Sequence, residues 1–203
     1  MRLRREPVLL IVSGPSGSGK DTLVFELRKN EPDLAYSVST TTRPPRTGEL
    51  EGVHYHFIGH PEFEQLAFDG EFLETREYAG NLYGTPKRFV EDCMRSGRDL
   101  VMKPEVNGAL AIKRLFPHAV LVFLTVPSNE VLKVRLSGRR TDSRSDVEQR
   151  LAIAQGEEAH IHQYDYLIVN DRLEEATAQL HAILSAERLK TARLVQGESA
   201  PMP

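Results

Sequence analysis

Two stretches of this chain carry residue types and spacings suited to handling phosphate. The first is Ser13-Gly14-Pro15-Ser16-Gly17-Ser18-Gly19-Lys20-Asp21-Thr22. Gly14, Gly17 and Gly19 let the backbone reach conformations closed to other residues and come close to an anion. A turn of this kind that opens a helix aims several N–H groups inward, at the positive end of the helix dipole. Lys20 adds a mobile point charge for the outer phosphates. Gly14 to Lys20 fits the spacing G-x-x-x-x-G-K, with one departure. The Ser or Thr expected after the lysine is Asp21, and Thr22 comes one position later. Residues 14–22 therefore read as a nucleoside-triphosphate site, which does not say what receives the phosphate.

The second stretch is Tyr36-Ser-Val-Ser-Thr-Thr-Thr-Arg43-Pro-Pro-Arg46-Thr-Gly48-Glu49. Hydroxyls followed by two arginines, with prolines holding the chain extended, suit an anion-binding segment. On its own this stretch is equally well a solvated basic loop.

The elements that must position these residues follow from apolar patterning. Val8 to Val12 is a continuous apolar run, the mark of a strand buried on both faces. Leu23, Val24 and Leu27 suit a helix behind the loop. Pro61 to Phe68 reads as a short helix, Glu71 to Tyr78 as a strand and Asn81 to Gly84 as a turn. Pro86 reads as the first residue of a helix that runs to Arg95. Leu100-Val101-Met102 and Ala119 to Val126 are further buried strands, with a helix over Gly108 to Phe116 between them. Pro127-Ser128-Asn129 caps a helix to Leu136. Ser143 to Gln163 is a long helical stretch, Tyr166 to Val169 a short strand and Arg172 to Arg188 a closing helix. Strands alternating with helices predict an α/β fold, a parallel sheet covered by helices on both faces.

The 203 residues are 40% hydrophobic and 27% charged, ordinary for one sizeable globular domain. A net charge of −3 argues against a nucleic-acid partner gripped mainly through its phosphates. Cys93 is the only cysteine, so neither a disulfide framework nor a cysteine metal cluster is available. The apolar run behind the basic start is too short for a signal peptide or a membrane span, so the expectation is a cytoplasmic protein with no membrane partner.

Taken together, the motifs resemble guanylate kinase. The residues that carry the resemblance are Gly14 to Thr22, Ser37 to Arg46 with Gly48-Glu49, Tyr55-His56-Phe57, and Gly70-Glu-Phe-Leu-Glu74. Gly80-Asn-Leu-Tyr83-Gly84-Thr85, Gly108-Ala109, Gly138-Arg139-Arg140-Thr141-Asp142-Ser143 and Tyr164-Asp165-Tyr166 with Val169-Asn170-Asp171 complete the series. They keep their order from about residue 8 to residue 189. The resemblance implies a P-loop kinase core in three parts, residues 1–36, 86–136 and 151–190. It further implies an acceptor-binding lobe at 37–85 and a lid at 137–150. Residues 191–203, polar and rich in small residues, read as a disordered tail.

What the resemblance implies chemically is transfer of phosphate from ATP, with Mg²⁺, to GMP and dGMP. The acceptor is an already ionised phosphate oxygen, so no strong base is needed, and the obstacle is repulsion between two polyanions. Catalysis should then be positioning and charge neutralisation by cations converging from distant parts of the chain. By resemblance, Lys20 serves the donor phosphates. Arg43 and Arg46 grip the GMP phosphate with Tyr55, and Tyr83 touches it. Arg139 and Arg140 come over the ATP phosphates, and Arg150 bridges donor and acceptor. Glu74 accepts from guanine N1–H and the amino group, Ser39 and Thr85 donate to O6, and Gly84 lies beside them. Sites that lose buried hydrogen bonds with the wrong base discriminate by roughly 10⁴–10⁵.

One segment departs from the family pattern. Met102-Lys103-Pro104-Glu105-Val106-Asn107-Gly108 has a lysine where the first of two acids is usual; Glu105 fills the second position and is expected to serve the ribose, the base or the metal's water. Lys103 reverses a charge beside the phosphates, an effect of about 4 kcal/mol per partner at 4 Å and an effective dielectric near 20. Asp21, in the metal-ligand position of the loop, could compensate by moving the acid to the opposite wall. Two alternatives stay open: ribose 1,5-bisphosphate phosphokinase, whose loop also carries Lys-Asp, and a non-catalytic guanylate-kinase-like binding module. Whether the chain forms a homo-oligomer is open as well.

Overall fold

The computed structural model describes residues 3–78, 80–137 and 144–196. Its centre is a five-stranded parallel sheet. β2 (Leu9–Ser13) is the middle strand, with β8 (Leu100–Met102) and β3 (Ala35–Tyr36) to one side, and β9 (Val120–Thr125) and β10 (Tyr166–Val169) to the other. Every pairing in it is parallel.

The run Leu9–Val12 is continuous because both faces of β2 are covered. Leu10 and Val12 pack with Leu23 and Leu27 of α1 (Lys20–Asn30) and Leu180 and Leu184 of α7 (Leu173–Arg188). Leu9 and Ile11 point the other way, onto Val90 and Cys93 of α3 (Lys87–Ser96) and Ala109 and Ile112 of α4 (Val106–Leu115). Each of these fully buried leucines contributes roughly 1.5–3 kcal/mol of transfer free energy. Cys93 is a free, buried thiol that packs as a small apolar residue. Ser128 caps α5 (Asn129–Ser137), its carbonyl accepting from Leu132 N.

Residues between β3 and α3 build a second sheet. Its order is β5 (His56–Phe57), β4 (Thr40–Thr41), β7 (Asn81–Pro86) and β6 (Phe72–Tyr78), with α2 (His60–Phe68) against it. Asn81 to Gly84, read from sequence as a turn, is therefore strand. Gly84 lies under the Phe72 ring, 2.8 Å from where its Cβ would be, and this close approach needs a glycine. Pro86 ends β7 and stands just outside α3 rather than opening it.

Two further boundaries differ. The stretch expected as one helix to Gln163 is α6 (Arg144–Glu158) followed by a 3₁₀ turn over Ile161–Gln163. Residues 191–196, expected in a disordered tail, are ordered. A 3₁₀ turn leads into β11 (Leu194–Gln196), which pairs antiparallel with β1 (Leu3–Arg5). Arg193 anchors this end, 6% exposed, donating to the carbonyls of Pro7 and His118 and to Glu187. Among the described residues, no helix is long and apolar enough to cross a membrane.

Candidate functional site

The carboxyl ends of the parallel strands face the turn between β2 and α1, where ligands bind in folds of this kind. Gly14, Gly17 and Gly19 all have left-handed φ, at 141°, 89° and 96°. A Cβ on Gly14 would overlap the Leu124 carbonyl of β9, and one on Gly19 would sit 2.5 Å from Asn170 Nδ2. That amide donates to Ser18 O at 2.8 Å, so the end of β10 sets the loop's height. Lys20 folds over its own loop, donating to the carbonyls of Gly14 and Pro15, and its ammonium stands 3.9 Å from Glu105 Oε2.

Lining a cleft of about 170 Å³ with the loop are Tyr78 and Tyr83 of the second sheet, and Arg43, Arg46 and Tyr55 of the connection between β4 and β5. Ser16, Lys20, Asp21 and Thr22 line it from the loop, and Lys103 and Glu105 from the end of β8. Five basic residues against two acidic ones line this cleft, a balance suited to a polyanion. Residues far apart in sequence thus meet around one space.

Arg43 is held on both sides. Its Nη2 donates to both Glu49 oxygens at 2.9 Å and its Nη1 to Pro44 O at 2.7 Å. Glu49 also accepts from Arg46 N at 2.8 Å. Burial favours the neutral acid, but these contacts outweigh it and hold the Glu49 pKa below the usual range. Glu49 is thus a positioning residue that its motif contained without assigning it a role. The Arg43 guanidinium lies 5.5 Å from the centroid of the Tyr55 ring, and Tyr55 packs edge-on against Tyr83. Burial pushes the Tyr55 hydroxyl up to about 12, so it is a neutral donor at ordinary pH.

Deeper in, Glu74 of β6 accepts from Thr85 Oγ1 of β7 at 2.7 Å. Burial raises the Glu74 pKa, the Thr85 bond and Arg76 opposing and Glu105 adding to the rise. Ser39 lies just before β4, its carbonyl accepting from His56 N. Glu105 sits at the amino end of α4, between Lys20 and Glu157 of α6. Burial and the Glu105 charge push Glu157 up to about 7, against Lys20 and Arg76. Arg150 is described and its charge reaches Tyr78. Arg139 and Arg140 lie outside the described residues, as do residues 138–143 of the expected lid.

Arg135 of α5, absent from the residues expected at the site, lines the cleft and donates to Asn170 O at 2.9 Å. Its only sequence signal was a basic residue in the last turn of a helix. The charge reversal at Lys103 was legible, and the structure gives its partner: Lys103 Nζ is 2.8 Å from Asp21 Oδ1.

The family described as Guanylate kinase matches residues 6–187. The chain belongs to the guanylate kinase family. It is 44% identical to a guanylate kinase of Carboxydothermus hydrogenoformans, over 92% of each chain. It is 46% identical to one of Thermus thermophilus, over 96% of this chain and 87% of that one. A crystal structure of guanylate kinase from Anaplasma phagocytophilum superimposes with a TM-score of 0.82, at 35% identity, covering 96% of this chain and 93% of the other. A gluconokinase from Sinorhizobium meliloti, at 17% identity and a TM-score of 0.53, shares the fold alone.

Proposed function

We propose that this guanylate kinase family member transfers the γ-phosphoryl group of ATP to GMP, giving ADP and GDP, and that it accepts dGMP as well. The observation that supports this most directly is the single cleft lined by the glycine-rich loop and by Arg43, Arg46, Tyr55 and Tyr83. Donor and acceptor phosphates then meet inside it. A GMP phosphate oxygen forms the new bond to the γ-phosphorus as the bond to the β,γ-bridging oxygen breaks.

In this reading residues 14–22 cradle the ATP phosphates, with Lys20 as their mobile charge. Arg43 and Arg46, with Tyr55 and Tyr83, hold the GMP phosphate. Glu74 accepts from guanine N1–H and the amino group, and Thr85 and Ser39 turn their hydroxyls toward O6, beside Gly84. Adenine offers a lone pair where guanine has N1–H, leaving Glu74 unmatched. Glu105, next to Lys20, serves the acceptor side. Arg139 and Arg140 reach the ATP phosphates, and Arg150 lies between donor and acceptor. Residues 37–85 then act as acceptor lobe and 137–150 as lid over the core, in a cytoplasmic setting.

Mg²⁺ fits the residues present. Asp21 offers a hard oxygen donor one residue after Lys20. Among the described residues no group of three or more His, Cys, Asp or Glu could hold a metal ion by itself. An ion here would arrive on the nucleotide, and Asp21 would be the residue that holds it. Bound there, it would neutralise charge on the phosphates.

The test is ADP release from Mg-ATP, with GMP, dGMP, AMP and ribose 1,5-bisphosphate offered in parallel. GMP and dGMP should turn over, and AMP roughly 10³-fold or more slowly. Turnover with the bisphosphate alone, or ATP binding without turnover of any acceptor, would overturn the proposal.

A further inference from the structure

We infer that Lys103 is a ligand of the acceptor's phosphate, and that Asp21 is the positioning residue that aims it. This rests on the GMP reading above.

Lys103 follows β8 and lines the cleft together with Arg43 and Arg46. Its side chain is 6% exposed, and the ammonium sits 4.4 Å from the centre of the Tyr55 ring. Arg43 lies 5.5 Å from the same ring. Two cations, one following β8 and one following β4, thus lie against one tyrosine, on the side of the cleft where the acceptor phosphate is placed.

The partners of the two cations differ. The fork of Arg43 is closed by both oxygens of Glu49, itself largely enclosed at 16% side-chain exposure. Asp21 is 64% exposed at the side chain, and water screens its charge. The buried Lys103 charge acts through a lower dielectric, so the field that this pair sends into the cleft is positive. The Asp21 carboxylate, 2.8 Å away, favours the charged form of this ammonium.

Asp21 is the second residue of α1, directly after the lysine of the donor loop. The pair therefore ties the acceptor-side cation to the element that holds the donor phosphates. Lys103 is placed to reduce the repulsion between the two polyanions where a carboxylate would add to it.

A strut that merely joins α1 to β8 would show the same 2.8 Å contact, so the experiment reads the phosphate. Binding of GMP, guanosine and ATP, each alone, is measured by calorimetry for the wild type, Lys103→Met and Asp21→Asn. Lys103→Met should weaken GMP about 10- to 100-fold, the range for a lost charge-assisted contact, and leave guanosine and ATP within about threefold. Asp21→Asn keeps the lysine but frees it. It should cut the preference for GMP over guanosine about three- to tenfold, measured by binding without metal or ATP.

Equal weakening of GMP and guanosine by Lys103→Met, or no change in GMP binding, would overturn the inference. If Lys103→Met loses ATP binding and so has not folded, Asp21→Asn at its exposed site decides, an unchanged GMP preference counting against the inference. A wild type that does not bind GMP would instead sink the function proposed above.

Discussion

The Glu74 carboxylate lies against the bare α-carbon of Gly108: a Cβ there would stand 2.8 Å from Glu74 Oε2. Gly108 is inside α4 and its φ is ordinary, so alanine fits the backbone. Gly108→Ala should therefore favour the helix by about 0.5–1 kcal/mol. The same methyl displaces Glu74 from its bond to Thr85. The expected outcome is an unchanged or higher melting temperature with GMP affinity reduced about tenfold or more, read by thermal unfolding and GMP titration. A variant that binds GMP normally would refute the role given to Glu74.

Gly14 presents the opposite case. Its φ of 141° and its contact with the Leu124 carbonyl both exclude a side chain, and the neighbour is rigid backbone of the central sheet. Gly14→Ala must move the loop. It should cost about 1–3 kcal/mol of stability, the range for overpacking, and abolish measurable ATP binding. Retained ATP affinity would mean that the loop tolerates a different path.

Much of this was legible in the sequence, for physical reasons. A strand covered on both faces must be apolar throughout, so Leu9–Val12 could be read, and the glycine-rich turn after it needs its residue types at fixed offsets. β7 was not legible: Asn81, Gly84 and Pro86 favour turns, and only pairing with β6 and packing under Phe72 override them. The last strand hid for a related reason. The short run Leu194–Gln196 gains its order from β1 at the other end of the chain, and from the preceding Arg193, whose buried side chain donates to Pro7 O near that same end. In the site, the charges of Asp21 and Lys103 were visible as a matched pair of departures, but their contact spans two elements that only the sheet order brings together. Arg135 gave no signal beyond its charge.

Asp99 holds the molecule's other end. At 7% exposure it accepts from Arg5 at 2.8 and 3.0 Å, Val8 N at 2.7 Å and Arg188 Nε at 2.7 Å. Burial favours its neutral form, but Arg5, the Val8 amide and Arg188 outweigh this and lower its pKa. Its contribution is present above the unfolded value near 3.9 and is lost as pH falls through the lower folded value. Asp99→Ala should destabilise by about 3–5 kcal/mol, because it strands buried partners. The KM values for both substrates should not move. Denaturant unfolding with steady-state kinetics checks both; a loss under about 1 kcal/mol would reduce this cluster to a surface ion pair.

Glu157 gives a pH dependence of the opposite sign. Burial and the neighbouring Glu105 charge push its pKa up to about 7, above the roughly 4.3 of an unfolded glutamate. Between those values the folded state keeps a proton that the unfolded state has released. Stability from this group is therefore fullest below about pH 4, falls as pH rises toward 7 and stays low above it. A Glu157→Gln variant would carry no such slope, since its side-chain amide is neutral throughout. The variant should melt about 2–4 °C higher than wild type at pH 8, the shift for about 1 kcal/mol in a chain of this size, with the gain shrinking toward pH 5. Melting curves of both proteins across that range test it. A difference that does not change with pH would mean that the substitution acts through packing and that Glu157 is ionised beside Glu105.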